Sequence, residues 1–149
     1  MAAHMATVVP APPHLTFKWY PYEEFIWEIH FSASNGSFAA TQRFYADTEN
    51  LTLFGKELAS FPTQQSREAR FELGSLQENW AYYILMRAYL YDRVGHAAIE
   101  IAVDNREQGE RAARANFHIY CEVAAINRLG KAIQAWVANP TEGLIWTPT

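Results

Sequence analysis

The chain has 149 residues, half of them hydrophobic and 15% aromatic, which is material for one domain with one core. Its formal net charge of -4 argues against nucleic acid as a partner, because phosphate binding draws on a basic patch. A single cysteine, Cys121, excludes an intrachain disulfide and any multi-cysteine metal site, and it fits a reducing, cytoplasmic compartment.

Residues 1–14 read as a tag remnant and a Pro-rich lead-in. His4-Met5 has the form of a cloning scar, and no basic start followed by a long apolar stretch marks a signal peptide. No apolar run reaches the roughly 20 residues that span a bilayer, so no membrane role is expected. Residues 15–149 then form a single domain. Leu15, Phe17 and Trp19 alternate as a short edge strand, a place where the nearby Pro21 is tolerated.

Asn35-Gly36 is the strongest local signal. Phe25, Trp27, Ile29, Phe31 and Ala33 alternate before it, and Phe38, Ala40 and Phe44 resume the period of two after it. Asn-Gly accepts the positive φ angles of a tight two-residue turn, so the spacing predicts a hairpin of strands at about 24–34 and 37–46. Asp47 or Thr48 can cap a helix that follows. Leu51, Phe54, Leu58 and Phe61 fall on one stripe of it, and Pro62 ends it.

Four more strands are predicted. Phe71 and Leu73 point inward in a short one at 69–75. Ile84, Met86, Ala88 and Leu90 share a face of the next, at 82–92. Ile99, Ile101 and Val103 alternate after that, and Phe117, Ile119, Cys121 and Val123 do so beyond a charged loop. A last helix carries Ile126, Leu129, Ile133 and Trp136 as its stripe, and Asn139-Pro140 stops it. Leu144, Ile145 and Trp146 are expected to dock the tail back on the domain. The order β-β-α-β-β-β-β-α makes an α+β fold: an antiparallel β-sheet with two amphipathic helices packed on one face.

The opposite face becomes the candidate site. Alternation assigns it Glu28, His30, Arg43 and Tyr45 from the hairpin, and Arg87, Tyr89, Tyr91, Glu100, His118, Tyr120 and Glu122 from the later strands. Tyrosine and arginine offer contact area and planar hydrogen bonding at small entropic cost, so a protein-binding surface centred on Arg87, Tyr89, Glu100, His118 and Tyr120 is expected. The same residues also suit a solvated sheet face with cross-strand charge pairs. Asp92, Gly95 and His96 read as a structural turn, with Asp92 capping it and Gly95 at positive φ. No catalytic residue is assigned: the chain lacks G-x-S-x-G, a P-loop and a dinucleotide-binding glycine pattern. No cofactor or metal is expected, since His30 and His118 lie in no HxH or HxxxH spacing. A small-ligand pocket lined by Trp19, Trp27, Trp80 and Tyr83 is the alternative class, and a structural homodimer a third.

Asp92, Gly95 and His96, the alternation of Ile99, Ile101 and Val103, and the run from Phe117 to Trp136 resemble a group of small uncharacterised bacterial proteins with an Asp-x-x-Gly-His turn. Such groups are similar to immunity-type proteins of toxin systems. The resemblance implies a stoichiometric protein binder without turnover, and it implies no catalytic residues.

Overall fold

Period-two alternation of apolar residues builds most of the long strands, and period 3.6 builds both helices. The computed structural model describes residues 11–77 and 80–149; His4, Met5 and Pro10 lie outside them. The elements are β1 (His14–Glu23), β2 (Ile26–Ser34), β3 (Ala39–Asp47), α1 (Thr48–Ser60), β4 (Glu68–Leu73), β5 (Tyr83–Leu90), β6 (His96–Asp104), β7 (Arg114–Glu122), α2 (Val123–Ala138) and β8 (Gly143–Trp146). The fold is α+β, with antiparallel strands and two helices in the expected order. The strands divide between two four-stranded sheets, in the orders β3-β2-β1-β8 and β4-β5-β6-β7. Helix α1 lies between β3 and β4 in the chain and separates the two meanders.

The two halves are built alike. Read from β8, the first sheet runs β8-β1-β2-β3 and leads into α1. The second runs β4-β5-β6-β7 and leads into α2. The C-terminal β8 thus takes the place that β4 holds in the other half. Both helices carry a glycine as their eighth residue, Gly55 and Gly130, and the helices cross there. A Cβ on Gly130 would collide with the backbone of Ala59 and Gly55. One on Gly55 would sit 2.9 Å from the Gln134 Cγ and 3.0 Å from the Gly130 carbonyl oxygen. Asn127 of α2 donates to the Leu58 and Phe61 carbonyls at 3.0 and 2.8 Å, so one helix caps the open carbonyl end of the other.

Both sheets and both helices share one core. Leu51, Phe54 and Leu58 of α1 and Ile126, Leu129, Ile133 and Trp136 of α2 are buried in it. An aromatic chain crosses the core, from Trp27 to Trp136, Phe17, Phe31, Phe44, Phe71 and Phe54, each ring centroid within 6.4 Å of the next. Asp47 caps α1 by accepting from the Asn50 N–H at 2.7 Å.

Several local features differ from the sequence expectation. The Asn35-Gly36 hairpin turn spans four residues, because Ser34 pairs with Ala39. Only Gly36 has positive φ; Asn35 contributes its side chain, which accepts from the Ser37 and Phe38 N–H groups. Phe38 lies on that turn and Phe25 on the β1–β2 turn, so both are exposed and outside the alternating pattern. Strand β1 is not an edge: β8 pairs with it from Leu15 to Lys18. Pro21 falls beyond that pairing, beside a register shift, where a missing N–H costs no ladder bond. In the tail, Leu144 and Trp146 are buried and the Trp146 Nε1 donates to the Ala125 carbonyl, while Ile145 faces outward.

Candidate functional site

Antiparallel register sets the outer face of the second sheet. One cross-strand row is Arg70, Arg87, Glu100 and His118; the next is Glu68, Tyr89, Ala98 and Tyr120. Arg87, Tyr89, Glu100, His118 and Tyr120 are therefore neighbours on one surface. The Arg87 Nε donates to Glu100 Oε1 at 2.8 Å, and its Nη1 to Glu68 Oε2 at 3.2 Å. Its guanidinium carbon lies 4.1 Å from the centre of the Tyr89 ring, within cation–π range. The Tyr89 hydroxyl and His118 Nδ1 share a hydrogen bond of 2.7 Å. Asn116 Nδ2 donates to Glu100 Oε2 at 2.9 Å.

These contacts fix protonation as well as position. Burial pushes the Glu100 carboxyl up, but the hydrogen bonds from Asn116 and Arg87 outweigh it and leave Glu100 below its ordinary value. Burial raises the Tyr89 phenol, so it stays protonated at neutral pH. Burial and the Glu72 carboxylate push the Tyr83 phenol up to about 12. What the surface presents is a fixed set of donors and acceptors with aromatic rings standing above them. Tyr91 and Tyr120 meet edge to face at 5.3 Å and remain 48% and 67% exposed.

The turn Asp92–His96 borders these tyrosines. Asp92 Oδ1 accepts from the Val94 and His96 N–H groups at 3.0 Å each, and Oδ2 pairs with the His96 Nδ1 at 2.5 Å. Gly95 takes φ +92°. The His96 ring lies 6.0 Å from Tyr91 in a stacked arrangement.

Glu28, His30, Arg43 and Tyr45 are not part of this surface. They share the outer face of the first sheet, where His30 Nε2 meets Glu28 at 2.6 Å and the Tyr45 hydroxyl donates to Glu28 at 3.1 Å. Sequence reasoning missed the residues that complete that face, Tyr20, Tyr22 and Phe25. Tyr22 packs on Tyr45 at 4.8 Å and Tyr20 on His30 at 4.5 Å. Lys18, Tyr20 and Tyr22 do show the period of two, but the apolar alternation of Leu15, Phe17 and Trp19 runs on the other parity and stops at Trp19.

The two faces correspond. Tyr20 and Tyr45 flank Glu28 across the first sheet as Tyr89 and Tyr120 flank Ala98 across the second. Phe25, at φ +66°, occupies the place of Gly95, each just before the strand that follows its turn.

Of the aromatics read as a pocket, Trp19 and Trp27 do not come together with Tyr83. Trp19 and Trp27 stack at 4.8 Å, and Trp27 packs on Trp136 in the core. Tyr83 lies on the second sheet, bonded to Glu72. A concavity of about 410 Å³ opens beside the β6–β7 loop, lined by Asp104, Arg106, Glu107, Gln108, Ala112, Ala113 and Arg114, at the opposite end of the sheet from the Asp92–His96 turn. Cys121 is half-buried, and burial with the nearby Glu122 charge pushes its thiol up to about 12, so it is no nucleophile at neutral pH. Among the described residues, no three His, Cys, Asp or Glu side chains gather as a metal site, and no helix is long and apolar enough to cross a membrane.

No family model matches the chain, and no curated protein matches it. A solved structure described as the plant transcriptional regulator PBF-2 superposes with a TM-score of 0.48 at 10% identity, over 89% of this chain and 82% of that one. At that level the likeness assigns neither a family nor a function.

Proposed function

We propose that the chain is a non-enzymatic binding module that docks a protein partner on the outer face of its second sheet. The observation that carries this is the connected set Arg87, Tyr89, Glu100 and His118, with Tyr120 on the same face in the row of Tyr89. Its polar members are held by one another, so little ordering remains to be done on binding, and Tyr120 stands exposed on the same face while Tyr89 is half-buried. Large exposed aromatic side chains clustered on a rigid sheet favour recognition over simple solvation. The finer form of this reading is stoichiometric inhibition of a bacterial toxin, the role implied by the sequence resemblance. The lone cysteine supports a reducing compartment such as the cytoplasm.

Affinity capture followed by light scattering tests the reading. The expected result is a single captured protein at a fixed molar ratio, and for the toxin form, loss of that protein's activity at the same ratio. Capture of many proteins without fixed stoichiometry contradicts it.

A further inference from the structure

Strand β4 leaves a backbone edge open beside α1. The Tyr91 N–H donates to the His96 carbonyl at 3.1 Å, so the odd-numbered residues of β5 turn their backbone groups to β6 and the even-numbered ones to β4. Ala88, Met86 and Ile84 therefore bond Ala69, Phe71 and Leu73, and Arg70 and Glu72 turn their N–H and C=O groups away from the sheet. Among the described residues, no hydrogen bond engages those groups. No proline or register shift blunts this edge. Side chains cover parts of the two other long edges: the Tyr45 N–H of β3 donates to the Tyr82 hydroxyl at 3.0 Å, and Asn35 donates to the His118 carbonyl of β7 at 3.3 Å.

Helix α1 forms a second wall. Two adjoining concavities of about 260 and 240 Å³ lie between it and β4. Leu53, Phe54, Phe71 and Leu73 line the first, Ser60 and Ser66 the second, and Glu57 lines both. Leu53 is 48% exposed over the buried rings of Phe54 and Phe71. Glu57 has no ion-pair partner among the described residues. Arg70, the one cation among the described residues lining the groove, is bonded to Glu72 at 3.3 Å; Lys56 and Arg67 are near in sequence but do not line it.

We propose that this groove takes an extended peptide of a partner protein as a fifth strand of the second sheet, antiparallel to β4, with an apolar residue on Leu53 and, two positions later, a basic residue on Glu57. The peptide backbone supplies the partners that Arg70 and Glu72 lack, and an extended chain offers donors and acceptors at their spacing. Leu53 and Glu57 stand four residues apart on α1, about 6 Å along its axis. Two residues of a strand span about 6.8 Å, so successive side chains of the inward parity meet both. Strand β4 runs from the Glu57 end of the groove to the Leu53 end, so an antiparallel strand, the more stable pairing, meets Leu53 first. The site is the edge of the sheet and stands independently of any docking on its outer face.

Hydrogen exchange read by NMR, with the heptapeptide Thr-Val-Thr-Leu-Thr-Lys-Thr as probe, tests this. In the free chain the Arg70 and Glu72 amides should exchange fast and the Phe71 and Leu73 amides slowly. Peptide at about 1 mM, the weak end of specific association, should slow Arg70 and Glu72 at least about twofold and leave Phe71 and Leu73 unchanged. Glu in place of Lys in the peptide, or a methyl on the nitrogen of the Thr between Leu and Lys, should remove that effect. Arg70→Pro deletes the outward N–H without touching the β4–β5 ladder, and should weaken binding at least about tenfold. Glu57 makes no side-chain hydrogen bond or ion pair among the described residues, so Glu57→Lys spares the fold and should make the Glu peptide the better ligand. Tyr89→Ala/Tyr120→Ala should bind the peptide as the wild type does. Absence of binding at about 1 mM overturns the proposal, as does binding that survives the methyl group or is lost in the tyrosine variant. Slow exchange of Arg70 and Glu72 in the free chain means the edge is already covered and also overturns it. Protection that rises with chain concentration alone assigns the edge to a second copy and overturns it too.

Discussion

His96 and Asp92 show how a short turn sets its own protonation. The Asp92 side chain accepts from the His96 ring, and that bond and the carboxylate charge raise the His96 value. Burial pushes the Asp92 carboxyl up, but bonds from the His96 ring, the His96 N–H and the Val94 N–H outweigh it and hold it below its ordinary value. A raised histidine stabilises the fold fully below its unfolded value near pH 6.5 and loses that contribution as pH climbs through the raised one. A lowered carboxyl does the reverse: its contribution is present above about pH 3.9 and is lost as pH falls through the lowered one. The pair therefore supports the turn best between those two limits. Titration of the His96 ring signals by NMR should give a value above 6.5, and Asp92→Asn should return it to the ordinary range. Cys121 makes a second residue-scale prediction. Its thiol, pushed up to about 12, should alkylate slowly at neutral pH in the folded chain and rapidly in denaturant.

At the scale of elements, the crossing of α1 and α2 is the tightest joint. The backbones approach at Gly55 and Gly130 closely enough that a methyl on Gly130 meets main chain of the other helix. Gly130→Ala should cost about 3 kcal/mol of stability in a denaturant titration. Gly55→Ala should cost less, because the nearest atom there belongs to the movable Gln134 side chain. Asn127→Ala leaves the Phe61 carbonyl without its side-chain donor and the Leu58 carbonyl with only the Phe61 N–H, and should cost about 1–3 kcal/mol by the same measurement. Apolar periodicity made both helices and the strands of the second sheet legible, since Ile84, Met86, Ile99, Ile101, Phe117 and Ile119 all alternate into the core. The partition into two sheets was not legible: nothing local in β3 or β4 says which strands pair once a helix stands between them. Strand β8 was hidden for a related reason. Four residues carry too short a period to read, and Gly143–Trp146 becomes a strand only because β1 offers a free edge. Phe25 and Phe38 misled because their parity matched the strand while the turn chemistry placed them outside it.

For the whole molecule, the duplicated plan explains which part of the candidate site could be anticipated. Alternation placed five side chains on one face of the second sheet, and register brought four of them, Arg87, Tyr89, Glu100 and His118, into contact. Alternation could not say that Glu28, His30, Arg43 and Tyr45 belong to a different face, because that depends on the sheet division. The outcome is a core closed by two sheets and two helices, with an aromatic patch on each outer face. Burial, helix crossing and capping serve stability, and the exposed rings of the outer faces take no part in them. The measurement that tests the docking role of the second face most directly is the dissociation constant of the captured protein for the wild-type chain and for Tyr89→Ala/Tyr120→Ala, with melting curves of both chains as the control for folding. A hot-spot surface predicts a loss of about 100-fold or more with the fold intact; an unchanged constant would contradict the assignment of that face.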